Sequence, residues 1–226
     1  AFSSPDEVLE REIMNHLFPD NTYGVESGGN PENIPELSYE EFLDFHRTYY
    51  HPSNSFIYLY GNMDMEEKLE FLDSHYLSAF DSLVIDSEIR NQEAFAQVKD
   101  IQKSYPVSED EGEEDNTYLS YNMVVGEAAD INLSLAFEVL DYALLSAPGA
   151  PLKQALLDAK IGKDIYGSFE DGIKQTYFSI VAKGANLSRK EEFIKVIRDT
   201  LTKIAEEGID KKAVTAGINY YEFRFR

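Results

Sequence analysis

Tyr49-Tyr50-His51-Pro52-Ser53-Asn54 runs directly into Ser55-Phe56-Ile57-Tyr58-Leu59-Tyr60-Gly61-Asn62. Upstream, Phe42, Phe45, His46 and Tyr49 fall at i, i+3, i+4 and i+7, one face of a helix. Pro52 stops that helix, having no N–H to continue it. Residues 55–60 carry no charge and read as a buried strand. The same order recurs further on, where Ile180-Val181-Ala182-Lys183-Gly184-Ala185-Asn186 leads into a helix. Strand, Gly, Asn and capped helix thus occur twice. The repeat is either a coincidence or the mark of two related domains, each a mainly antiparallel sheet with helices packed on one face. The second reading makes the fold class α+β.

Helix starts punctuate the rest of the chain. Ser4-Pro5-Asp6-Glu7, Ser38-Tyr39-Glu40-Glu41 and Ser188-Arg189-Lys190-Glu191 have the spacing of capping boxes, and Asp64, Asp130 and Asp210 are placed to cap helices. The first helix should bury Leu9, Ile13 and Leu17, and the third Leu69, Leu72, Tyr76 and Phe80. A helix from Asp130 is apolar around much of its circumference, which predicts packing on more than one side. Ser146-Ala147-Pro148-Gly149 breaks it, and a short helix follows over 151–160. Residues 117–125 read as a strand. Residues 163–171 and 175–183 read as a hairpin turning near Gly172. Phe193, Val196, Ile197, Leu201 and Ile204 form a clean helical stripe closed by Gly208, and a last helix should turn Val214, Ile218, Tyr221 and Phe225 inward. Residues 81–103 show no clear period. The organisation expected is residues 1–90 as the later part of a first domain, 91–103 as a linker and 104–226 as a second domain. Both ends read as cut rather than native.

Charge excludes several partners. Asp and Glu number 42 against 20 Lys and Arg, a net of −22. Nucleic acid and anionic membrane both need a basic surface, so neither is expected. A basic peptide would be attracted at low salt, although net charge alone also serves solubility. There is no cysteine, which removes disulfides, thiolate metal sites and a cysteine nucleophile. No apolar run approaches the roughly 18 residues that span a membrane. Six acids crowd into residues 108–115. They lack the Asp/Asn alternation and terminal Glu of an EF-hand, so a solvated loop is favoured over a calcium site.

A self-contained active site is not legible. Of His16, His46, His51 and His75, none pairs at i, i+4 beside a Glu as a helical zinc site requires. His46 reads as a hydrogen-bonded histidine at the core edge, and His51 as the residue that fixes the turn before the strand. Gly-x-Ser-x-Gly and the phosphate loop are both missing. Ser27, Gly28 and Gly29 are the candidate substrate-binding residues, since such a loop can present backbone amides to a carbonyl or anion; the alternative is an ordinary tight turn. No catalytic and no metal-ligating residue is assigned.

Taken together, Leu17-Phe18-Pro19-Asp20-Asn21-Thr22-Tyr23-Gly24-Val25-Glu26-Ser27-Gly28-Gly29-Asn30-Pro31, the Ile34–Ser55 run and the Gly61-Asn62 strand end closely resemble the insulinase/pitrilysin-type zinc metallopeptidases, in their presequence-protease and falcilysin branch. The likeness covers about 45 residues by motif; residues 116–226 resemble the family's second domain by order of elements. The resemblance implies a large peptidase of four related α+β domains enclosing a chamber for unfolded peptides. It also implies zinc, held by an inverted H-x-x-E-H helix and a distant glutamate whose motif-borne partner activates water. Here H-x-x-E-H is absent, and the Ala1-Phe2-Ser3-Ser4-Pro5-Asp6 start matches the segment just after the family's glutamate ligand. No zinc ligand carries over. The implied function is therefore part of a zinc endopeptidase, itself inactive, with unfolded peptides and the rest of the same polypeptide as partners, in a bacterial cytoplasm or an organelle. The alternatives are a non-catalytic scaffold subunit of the same fold and an acidic peptide-binding module. Relative to the first, the upstream sequence decides.

Overall fold

The hairpin read at 163–183 forms the centre of the fold. In the computed structural model, which describes residues 4–108 and 112–226, β3 (Gln175–Ala185) lies between β1 (Thr117–Glu127) and β2 (Asp164–Glu170), antiparallel to both. Met123, Phe178 and Phe169 stand in register across the three strands, as do Tyr121, Ile180 and Gly167. Side chains alternate between faces along a strand. The face carrying Phe178, Ile180 and Ala182 packs against α4 (Ile131–Asp141), α5 (Pro151–Asp158) and α6 (Lys190–Glu207), with Leu152, Leu156, Phe193 and Ile197 in the shared core. Burying each such Leu, Ile or Phe contributes about 1.5–3 kcal/mol relative to exposure. On the opposite face, Phe18 at the end of α1 (Pro5–Leu17) packs edge-on to Tyr177 with ring centres 6.0 Å apart. With cover on both sides, β3 is buried continuously from Thr176 to Ala182. The fold class is α+β with an antiparallel sheet.

Two compact units emerge, one of residues up to Val25 with Asn91–Arg226, the other of Glu26–Arg90. Within the first, α7 (Lys211–Arg224) lies on α4, where Gly217 lets the helices approach: a Cβ there would stand 3.2 Å from Val139 and 3.3 Å from Tyr142. Asp130 and Asp210 cap their helices through Leu133 N–H (3.0 Å) and Lys212 N–H (2.9 Å). Residues 80–108 and 112–116 carry no helix or strand. Glu109, Asp110 and Glu111 of the acidic run lie outside the described residues. Asp115, the last of its acids, is bonded to Asn186 Nδ2 at 2.6 Å and paired with Lys163 at 3.2 Å; those contacts, Asn186 first, hold its carboxyl below the usual range.

The second unit holds α2 (Tyr39–Tyr49) and α3 (Met65–His75). The Ser38/Glu41 capping box closes in both directions, at 3.2 and 2.9 Å, and those bonds keep the Glu41 carboxyl below its ordinary value. Asp64 caps α3 through Glu67 N–H at 3.1 Å. The turn at residues 51–55 is the unit's node. Ser53 Oγ accepts from Leu83 N–H, Asn54 Oδ1 accepts from Ser87 Oγ, and Asn54 Nδ2 donates to Tyr49 O.

Several expectations need correcting. Residues 55–60 form no strand: Phe56, Tyr58 and Tyr60 are exposed, and no described residue pairs with their backbone. A strand needs a neighbour for its N–H and C=O groups, and among the described residues no strand lies beside this segment. Phe42, Phe45 and Tyr49 of α2, with Leu69, Tyr76 and Phe80 of or after α3, are likewise exposed. Their stripes are present, but the described residues leave them largely uncovered. Ser4 precedes α1 without a side-chain capping bond. Ser188 is not the cap of α6; it sits in a single 3₁₀ turn, Leu187–Arg189, that leads into the helix. On α7 the inward line is Val214, Gly217 and Tyr221, while Ile218 and Phe225 face outward. The helix over α4 ends in a π-turn, Tyr142–Ser146, before the predicted break.

Candidate functional site

The histidines are each occupied locally. His16 Nδ1 bonds Glu12 O at 2.8 Å, and His75 Nδ1 lies 2.9 Å from Ser74 Oγ with its ring stacked on Phe71. His51 Nδ1 accepts from Ser53 N–H at 3.1 Å and its ring meets Phe80 edge-on, so it does fix the turn. His46 is not at a core edge: it is exposed and stacks on Tyr50, because nothing described covers that face of α2. Among the described residues no three His, Cys, Asp or Glu side chains converge on a point that could hold a metal ion. Zinc takes three or four nitrogen, sulfur or oxygen donors in a tetrahedral shell. The described residues do not fit that requirement.

Ser27 and Gly28 are exposed and Gly29 is half-buried in the same turn. Gly29 N–H donates to Glu26 O at 3.1 Å, a bond that closes the turn over Ser27 and Gly28. Gly29 has φ +84°, where an L side chain is strained, and a Cβ there would meet Ile34 at 2.9 Å. A cleft of about 350 Å³ between α5 and α6 is lined by Ala155, Asp199, Thr200, Lys203, Ile204 and Glu207.

Two features escape sequence reasoning. Gln92, inside the expected linker, is a buried node that makes two hydrogen bonds to Asp20 and two to Gln175. Asp141 is the other. Its Oδ2 accepts from Ser146 Oγ at 3.0 Å across the π-turn, while Oδ1 is buried without a partner beneath Gly167. Burial raises its pKa; the Ser146 bond opposes and Glu138 reinforces the rise. A folded-state pKa above the unfolded value means the ionised form costs stability at neutral pH, and the cost fades as pH falls through the folded value. Asp141→Asn is therefore expected to raise Tm at pH 7, with the advantage narrowing toward pH 4. Equal Tm differences at both pH values would contradict this.

A family model described as the peptidase M16 inactive domain matches residues 36–221. The chain belongs to the peptidase M16 family. It is 47% identical over 226 residues to Protein HypA of Clostridium perfringens and 38% identical over 230 residues to presequence protease 1, chloroplastic/mitochondrial, of Arabidopsis thaliana. Both matches take in all of this chain but only 23% and 21% of those proteins, so the chain spans less than a quarter of their length. A crystal structure of a peptidase M16 inactive domain from Pseudomonas fluorescens superposes with a TM-score of 0.66, covering 98% of this chain and 52% of that one at 17% identity, a likeness of fold. M16 is a metallopeptidase family, and this chain carries its inactive-domain portion without H-x-x-E-H. No helix among the described residues is long and apolar enough to cross a membrane.

Proposed function

We propose that this chain is a scaffold portion of a zinc endopeptidase that degrades short unfolded peptides within an enclosed chamber, and that on its own it neither hydrolyses peptides nor holds zinc. The observation that supports this reading most is the match to the M16 inactive domain in a chain whose described histidines are all engaged within their own helices and turns. The partner on this reading is the rest of the same polypeptide, which would cover the aromatic faces of α2 and residues 55–60. The substrates are unfolded peptides, basic ones favoured by the net charge of −22. Ser27, Gly28 and Gly29 are the proposed peptide contacts. The place of action is a bacterial cytoplasm or an organelle, the latter by analogy with the mitochondrial and chloroplastic relatives.

The test is incubation of the purified chain with an unfolded basic peptide, with and without added zinc. No cleavage above a buffer control is expected in either case. Zinc-dependent hydrolysis that persists through repurification would show that the chain is itself a peptidase.

A further inference from the structure

Residues 26–90 interrupt the sequence of the sheet unit, whose chain leaves at Val25 and returns at Asn91. Both crossings are fastened to the same end of the sheet. On the outgoing side, Tyr23 OH accepts from Lys174 N–H at 3.1 Å. On the returning side, Asn91 Nδ2 donates to Glu127 Oε1 at 2.5 Å, and Glu127 is the register partner of Gln175. Gln92 ties the two together. Its amide oxygen accepts from Asp20 N–H at 2.9 Å and its amide nitrogen donates to Asp20 Oδ2 at 2.6 Å. Its backbone N–H donates to Gln175 Oε1 at 2.5 Å and its carbonyl accepts from Gln175 Nε2 at 3.2 Å. All four polar groups of a residue only 7% exposed are thus paired, two with each neighbour. A buried polar network satisfied this completely fixes one arrangement, and removing a partner leaves the others unpaired in a poorly solvated place.

We propose that Gln92 is a clasp that closes the sheet unit across the gap in its sequence, so that residues up to Val25 stay bound to Asn91–Arg226 whatever happens to the chain between. The clasp has a second support: α1 is seated on the sheet by Phe18 on Tyr177 and by Lys183 paired with Asp6 at 3.0 Å. Residues 26–90 are then an inserted body, able to be nicked or rearranged without unfolding the sheet. This inference does not depend on the proposed peptidase role.

The experiment uses the full chain with specific protease sites placed after Gly28 and before Ser87, cleaved in the folded state and passed over a gel-filtration column. The N-terminal piece is expected to co-elute with the piece carrying β1, β2 and β3. Gln92→Ala should weaken that retention about tenfold, the scale of losing one buried hydrogen-bonded pair. Gln92→Glu keeps the length but sets a carboxylate against Asp20, and should release the piece more readily at pH 7.5 than at pH 5. Separation of the pieces in the unsubstituted chain overturns the clasp, and so does undiminished retention in the variants. If the alanine variant does not fold, the glutamate variant's pH comparison decides.

Discussion

Replacing Phe18 with alanine is expected to destabilise the sheet unit by about 3–5 kcal/mol, the usual range for deleting a fully buried aromatic ring. Phe18 is 0% exposed, although it lies just past the end of α1. Its ring meets Tyr23 and Tyr177 edge-on, both at 6.0 Å, and so joins the first helix, the turn after it and the central strand. No neighbour is free to fill the space, because Tyr177 is held in β3 between two paired strands. Urea unfolding followed by tyrosine fluorescence should show the loss as a lower midpoint with little change in slope. A loss below about 1 kcal/mol would mean that α1 rests on the sheet without supporting it.

Gly167→Ala should have the next largest effect, about 1–3 kcal/mol of destabilisation. Alanine is ordinarily the better strand residue, by up to about 1 kcal/mol, because glycine loses more chain entropy on folding. Here the clash prevails. A Cβ at Gly167 would stand 2.3 Å from Leu145 Cδ1, 2.6 Å from Asp141 Oδ1 and 3.3 Å from Ser179 O. Leu145 is 1% exposed and belongs to the π-turn, so it has nowhere to rotate. Combining the change with Leu145→Ala should recover part of the loss, since the two sites share one space. A single Gly167→Ala variant as stable as the parent would show that the helix is not held so close to β2.

What the sequence discloses follows from what each signal means physically. Caps are local, so Ser38, Asp64, Asp130 and Asp210 close as their spacing indicates, while Ser4 and Ser188, at the same spacing, do not. The hairpin at 164–185 and the Phe193/Ile197 stripe are also legible, since strand partner and helix face lie in the same unit. Residues 55–60 and the α2 stripe fail for the opposite reason. Apolar pattern records that a surface requires cover but not what provides it, and no described residue does. The π-turn was hidden because it adds no apolar residue, only a different bonding step after Asp141. Gln92 left no trace at all. A single glutamine in a polar stretch has no period, and only the fold brings Asp20 and Gln175 to it.

At the candidate site, the turn role of His51 was legible because a histidine before Pro-Ser can reach a backbone amide two residues on. The family was legible through motif order over residues 17–62, and the match over residues 36–221 agrees with it. Catalytic chemistry was not, because no H-x-x-E-H run occurs in these residues to mark it.

The most direct measurement is the zinc content of the purified chain after loading with a small excess of zinc and dialysis against metal-free buffer. Zinc well below one per chain is the result predicted for an M16 portion whose described residues bring no ligand set together. One zinc per chain, surviving dialysis and lost on substitution of His16, His46, His51 or His75, would contradict the account.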